Sequence, residues 1–476
     1  QDKRSGSPDG LNTLYDIDAL QFNDGSSQSL VDYYNANAGA GAGGQVLTGT
    51  VDDDLIDGFG GDDTIDGLEG DDILIGGEGN DAIDGGLGSN TIFGDNGDDT
   101  ITSAGADTVD AGEGNNQITI TGTATGGSYI SGSGNDSYTI ETGATGTYSI
   151  TSAGGNNIFE IQSEVNSNIT IKTGDGANNL IARSRLDYFT SGSGNDILVL
   201  DAQVQRHIST GEGDDVITAL GIIGSGSPTY LNNYGHDGIN SGAGNDSIDL
   251  RGGSVQNYVY RHHASLVDAG AGQDNISLLN SQNYGLIFGG DGNDVIDASD
   301  AKNVQEIHGG NGEDVIIGTS TNDNISAGDD NDNVASGDGD NVVRGDAGDD
   351  FITSGSGNDS IWGGTDNDTV VSGDGDDALY GEAGDDTLNP GAGADTAQGG
   401  SGNDTFYASA GNDVFYGNSS AAAKSDATEI DTVVLSGNAA DYTISRATDT
   451  TFGFVYFIQD KRSGSPDGLN TLYDID

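Results

Sequence analysis

The sequence predicts an all-β fold, a parallel β-roll or β-helix solenoid, and three observations carry that prediction. From residue 314 to residue 413 a carboxylate or its amide falls at every ninth position. Two residues after each stands an apolar or small side chain, from Ile316, Ile325 and Val334 to Ala397, Phe406 and Phe415. Only 33% of residues are hydrophobic and 82 of 476 are glycine, so no thick core can be filled. A thin core must be built coil by coil, which is how a solenoid grows.

Taken in order, residues 1–34 read as the end of a preceding β-rich cap, and 35–44 (NANAGAGAGG) as a flexible Gly/Ala linker. Residues 45–119 form a first block, with the ladder Asp54, Asp63, Asp72, Asp81, Asn90, Asp99, Asp107 and Asn116. Its apolar partners include Ile56, Ile65, Leu74 and Ile83, and only the step into Asp107 is eight residues. Residues 120–308 repeat the same turn at Asp136, Asn157, Asn178, Asp196, Asp215, Asp246, Asp274 and Asp294. Spacings there are 18 to 21, with two longer ones of 31 and 28. Two nonapeptides make one coil, so each middle coil keeps one consensus turn and replaces the other. That block is expected to carry metal on one edge only.

Residues 309–417 form a second block, with Asp314, Asp323, Asp332, Asn341, Asp350, Asp359, Asp368, Asp377, Asp386, Asp395, Asp404 and Asp413. After Asp413 the pattern stops, and 430–458 alternates like antiparallel strands. Residues 418–476 are therefore expected to be a β-rich cap.

The nine-residue unit is spelled out by Gly399-Gly400-Ser401-Gly402-Asn403-Asp404-Thr405-Phe406-Tyr407, that is G-G-x-G-x-D-x-U-x with U apolar. Six residues make a tight turn and three a short strand. Glycines at positions one, two and four permit φ values that side chains forbid and let backbone carbonyls face a common point. The position-six carboxylate joins those carbonyls, and all-oxygen ligation suits a hard ion of flexible geometry such as Ca²⁺. Position eight points inward and stacks on its copies. At a strand spacing of about 4.7–4.9 Å, roughly eighteen coils would make a rod of about 85 Å.

This unit resembles the repeats-in-toxin (RTX) calcium-binding nonapeptide. The resemblance implies a parallel β-roll of two short sheets, with each ion shared between neighbouring turns on one edge. The three blocks hold 28 turns, 23 with Asp at position six and five with Asn. On the order of twenty calcium ions, each six- to eight-coordinate, would then bind. Folding and metal binding are expected to be one event. Asn90, Asn116, Asn157, Asn178 and Asn341 offer a carbonyl without the charge, so their turns are expected to bind weakly or stay empty. A β-rich cap commonly follows RTX blocks, and such proteins are typically exported by bacterial type I secretion. The resemblance therefore implies an extracellular or cell-surface location.

Composition narrows the function. The formal net charge of -64 repels the chain from nucleic acid and makes divalent cations the obvious partner. Cysteine is absent, so calcium takes over the stapling that disulfides perform elsewhere. The most apolar run, Phe452 to Ile458, is strand length, so no transmembrane segment and no cleavable leader is expected. The sequence lacks HExxH, G-x-S-x-G and GxxxxGK, and paired acids such as Asp62/Asp63 are positions five and six of turns. No enzyme is expected in this chain.

Residues 1–18 recur identically at 459–476, a tandem period of 458 residues. The alternative is an artificial duplication. With Gln1 at the start and no methionine anywhere, the sequence reads as one unit cut from a longer product, with its cap split across the two ends. Copies of the chain in a tandem or polymeric assembly are the expected partners.

Scarce cations gather in the middle block. All five histidines and Arg183, Arg185, Arg206, Arg251 and Arg261 lie between 181 and 308. Halfway between successive turns stand Tyr148, Arg185 with Tyr188, Arg206-His207, Tyr230, Tyr260-Arg261-His262-His263, Tyr284 and Lys302. They either pack and cap loops where calcium is missing or form a contact stripe for acidic rods or anionic surface polysaccharide. The functional expectation is a calcium-dependent extracellular structural protein: a surface fibre, sheath or S-layer-like filament with adhesin-like contacts. The runner-up is the calcium-folding module of a secreted enzyme or toxin whose active domain lies outside this chain.

Overall fold

The computed structural model describes residues 43–201, 204–219, 222–223, 238–250, 254–255, 266–278, 285–301, 304, 306–418, 430–449, 453–464 and 466–475. Residues 1–34, most of the linker, and Arg251, Tyr230, His236, Tyr260 to His263, Tyr284 and Lys302 lie outside them. The chain divides into two compact units, 1–205 with 209–211 and 206–208 with 212–476. Both are parallel β-solenoids, and their only described helix is the short 3-10 segment Ala439–Asp441.

In the first unit, one sheet pairs Val46–Thr48 with Thr64–Asp66, then Ala82–Asp84, Thr100–Ser103 and Gln117–Ile120, all parallel. The register step is 18 residues at Ile65↔Ile83, two nonapeptides. It lengthens to 21 at Tyr138↔Phe159 and returns to 18 at Leu180↔Leu198. A second sheet runs through Leu55–Asp57, Ile73–Glu78, Thr91–Asn96 and Ala106–Asp110 to the ten-residue strands Thr145–Gly154 and Asn166–Asp175. The middle coils thus keep short turns such as Glu141–Ala144 on the replaced edge and lengthen the strands that follow them.

In the second unit the described coils settle to an 18-residue step, as in Ile352↔Val370↔Leu388 on one sheet and Ile361↔Leu379↔Ala397 on the other. Both rows are fully buried, so position eight fills the core. The middle-block steps of 31 and 28 appear as Val216↔Ser247 and Ser247↔Asn275.

The end of the second unit departs from the sequence expectation. Thr432–Val434 is not antiparallel cap; it adds to the solenoid, parallel to Thr405–Tyr407. The true antiparallel part is Tyr442–Asp449 against Gly453–Asp460, and Gly453–Asp460 against Leu469–Tyr473. Leu469–Tyr473 in turn pairs parallel with Val414–Tyr416. Arg462 ties this cap together, reaching Asp460 at 2.8 Å and Asp467 at 3.0 Å while its guanidinium lies over the Tyr442 ring. Among the described residues no helix is long and apolar enough to cross a membrane.

Candidate metal centres

Each turn is held to the next coil by its position-six residue. The backbone N–H of Asp63 donates to Asp81 Oδ1 at 2.7 Å, and those of Asp332 and Asp350 donate to Asp350 and Asp368 Oδ1 at 2.8 and 2.9 Å. This one bond fixes the carboxylate in the turn and leaves its second oxygen aimed inward. That oxygen is buried and has no hydrogen-bond partner at Asp72, Asp81, Asp99, Asp332, Asp350, Asp368 and Asp386, among others. A buried oxygen left so costs free energy unless something else satisfies it, and its repetition coil after coil marks a site for a cation.

Gly67 shows how the space is kept. A Cβ there would come within 2.6 Å of Asp72 Oδ2 and 2.8 Å of the Gly85 carbonyl oxygen. Position one of a turn, the carboxylate of that turn and the position-one carbonyl of the next coil therefore converge where only glycine leaves room. Position two needs positive φ, as at Gly400 (φ 123°), and Phe59 (φ 64°) and Leu68 (φ 73°) bear it as strained side chains. Among the described residues no three His, Cys, Asp or Glu side chains cluster as a metal site. Backbone carbonyls must supply most ligands, which favours a hard oxygen-seeking ion.

Electrostatics agree. Burial first, then the neighbouring carboxylates, pushes Asp332 and Asp368 up to about 8 and Asp99, Asp274, Asp395 and Asp404 up to about 7. Stacked carboxylates in a dry edge resist ionisation unless a cation stands between them.

The family model of the RTX calcium-binding nonapeptide repeat (4 copies) matches residues 39–74, 66–101, 101–118, 172–203, 286–304, 308–343, 336–370, 362–397 and 390–421. These stretches make up just over half of the chain. The chain belongs to the RTX calcium-binding nonapeptide repeat family. No curated protein matches it. Among solved structures, a hyperactive, Ca²⁺-dependent, β-helical antifreeze protein from an Antarctic bacterium is similar at 17% identity and a TM-score of 0.31, covering 78% of this chain and 85% of that one.

Not every RTX turn here has a free oxygen. At Asp107 the Ser103 hydroxyl donates to Oδ2 at 2.6 Å while Asn90 N–H holds Oδ1 at 2.8 Å. At Asp323 the Thr319 backbone and hydroxyl occupy both oxygens at 2.7 and 2.9 Å. Where Asn stands at position six, its amide donates to turn carbonyls: Asn90 to Gly85 at 2.8 Å, Asn341 to Gly337 at 3.0 Å, Asn116 to Gly112 at 3.2 Å. An amide N–H₂ thus does to those carbonyls what a cation would.

Sequence reasoning missed two members of the ladder. Asp404 N–H donates to Asp431 Oδ1 and Asp413 N–H to Asn470 Oδ1, both at 3.1 Å. They lie 27 and 57 residues on, outside any nine-residue count; the apolar pair Val433 and Leu472, each two places later, was the available signal. The aromatic and basic stripe also changes. Tyr148 is fully buried, its hydroxyl donating to the carbonyls of Ala124 (3.0 Å) and Thr145 (2.7 Å), so it packs and presents nothing. Arg185 is paired with Asp187 at 2.9 Å and Arg183 with Glu160.

Proposed function

We propose that this chain is a calcium-dependent extracellular structural protein, the tandem unit of a bacterial surface fibre, sheath or S-layer-like assembly exported by type I secretion. The observation that carries the reading is the duplicated segment. Residues 459–476 are identical to 1–18, and in the structure that sequence is the closing strand of a solenoid, Leu469–Tyr473 on Val414–Tyr416. A 458-residue period therefore repeats the rod together with its closure, and copies of the chain are its first partners. The uncapped Asp turns would hold calcium between adjacent coils, on the order of twenty sites less those closed by side chains. Extracellular calcium modules typically have dissociation constants of about 10⁻⁴–10⁻³ M, so folding would await exit from the cell. The reading assigns no reaction to the chain.

The second reading, a folding module beside a secreted enzyme or toxin, draws on RTX membership itself. Sequencing the whole gene separates the two. Further copies of the 458-residue unit support the fibre, whereas a single copy next to a hydrolase domain overturns it.

A further inference from the structure

One edge of the first unit changes character between Asp99 and Asp196. Four successive turns, Asn116, Asp136, Asn157 and Asn178, carry no side-chain carboxylate oxygen without a partner. Asn157 donates through its amide to the Gly155 carbonyl and to Asn178 Oδ1, both at 3.0 Å, and Asn178 donates to Gly176 at 2.8 Å and to Asp196 Oδ1 at 3.0 Å. Asp136 is the one acid of the four, and the Ser152 hydroxyl reaches its second oxygen at 3.4 Å. Amide groups bond coil to coil here as an asparagine ladder does in stacked strands.

The opposite edge is closed without a ladder of position-six acids; Glu141, in one of its turns, accepts from Gly122 N–H at 3.3 Å. Ala124 N–H bonds back to the Thr121 carbonyl and Ala144 N–H to Glu141, simple turns whose carbonyls receive the hydroxyls of Tyr148 and Ser167. In place of ions these coils have a thicker interior. Strands Gln117–Ile120, Ser137–Ile140 and Ile158–Ile161 each bury two side chains, where Phe351–Thr353 in the second unit buries one. Tyr138 and Phe159 stack at 5.2 Å, and Phe159 meets Phe189 edge-on at 6.5 Å. Tyr129, Tyr138, Tyr148, Phe159 and Phe189 head the fully buried side chains by size.

We infer that residues 116–190 form a calcium-independent segment inside a calcium-dependent solenoid: its turns take no ion, and it keeps its fold when calcium is withdrawn. Two independent features support this, donors that replace the cation and apolar burial that replaces its binding energy. In a one-dimensional solenoid a stable stretch templates its neighbours, so this segment is where calcium-driven folding of the first unit starts. The inference rests on calcium-coupled folding of the rest of the ladder.

Peptide-resolved hydrogen exchange of the full chain in excess calcium and in excess chelator tests it. Strands Gln117–Ile120, Ser137–Ile140 and Ile158–Ile161 are expected to keep at least 100-fold protection in chelator while Phe351–Thr353 and Thr369–Val371 fall to the unfolded rate. Loss of protection in both regions overturns the inference and leaves coupled folding standing; protection of both overturns coupled folding itself. The double variant Asn157→Asp/Asn178→Asp supplies the second arm. It is expected to lose the chelator-resistant protection and to regain it on adding calcium; unchanged protection in chelator overturns the assignment of the amides.

Discussion

Gly67, Asp72 and the carbonyl of Gly85 reduce an RTX site to its parts: one missing Cβ, one idle carboxylate oxygen, one backbone dipole. Gly67→Ala is expected to abolish ion binding at that turn, lowering the calcium stoichiometry measured by titration calorimetry, because the methyl group would stand within 2.6 Å of Asp72 Oδ2. Asp368→Asn is expected to be gentler. Asn90 shows that an amide at position six bonds the position-one carbonyl, of Gly85, at 2.8 Å, so the turn survives while its ion is lost. At calcium 100-fold above the dissociation constant of the site, that loss lowers unfolding free energy by about 2.7 kcal/mol, read from the urea midpoint in calcium. An unchanged midpoint would place the ion elsewhere. The spacing made Asp72 and Asp368 legible in the sequence, since nothing but a turn-and-strand repeat demands an acid and then an apolar residue at fixed offsets. It could not tell which acids are already satisfied. Ser103 and Thr319 look like ordinary turn residues until their hydroxyls are seen on Asp107 and Asp323.

At the scale of the element, coils come in two kinds. Where both turns are consensus, one sheet has three-residue strands that bury one residue each; where one turn is replaced, strands on that sheet grow to four residues, two on the other lengthen to ten, and aromatic rings enter. Phe159→Ala is expected to cost about 3–5 kcal/mol, the usual range for emptying an aromatic core site. Hydrogen exchange of Ile158–Ile161 in calcium would show it as a matching fall in opening free energy, and a fall below 1 kcal/mol would mean the ring is not core. The cap makes a prediction of a different kind. Arg462 holds Asp460 down at about 2, so the cap gains stability above the ordinary aspartate range and loses it as pH falls toward 2. Arg462→Leu should remove that dependence and open 430–475 to limited proteolysis in calcium; resistance equal to the parent chain would dismiss the cluster as ornament. The sequence announced antiparallel strands here correctly between 442 and 460, yet hid Thr432–Val434. Its solenoid coil is joined through 27 residues, and periodicity is blind across so long a connection.

For the whole molecule, 78 acids against 14 Lys plus Arg make the cation a condition of folding. Circular dichroism should show a large gain of β-structure between chelator and millimolar calcium, with the residual signal in chelator coming from the first unit. Protons can stand in for part of the metal. Burial raises Asp314, Asp99 and Asp332 to about 6, 7 and 8 when folded, above the unfolded value of about 3.9. Their contribution to the calcium-free fold is therefore fully present below about pH 4 and lost as pH rises through 6 to 8. In chelator, β-content is expected to be higher at pH 4 than at pH 8; equal spectra at the two values would contradict the raised carboxylates. With calcium the dependence turns round, because the ion needs the ionised form and its required concentration grows as pH falls.

The hydrogen bonds between rungs have a polarity. At buried position six the donor N–H belongs to the earlier coil and the acceptor oxygen to the later one, from Asp63 on Asp81 to Asp413 on Asn470, whereas at exposed position five the sense reverses, as in Asp71 N–H on Asp53 Oδ1. Trimming the first coil of a unit would leave a carboxylate oxygen over, which water or an ion readily serves. Trimming 430–475 would strand the amides of Asp404 and Asp413 inside the edge with nothing to receive them. A solenoid wired in this sense tolerates an open beginning and needs a finished end.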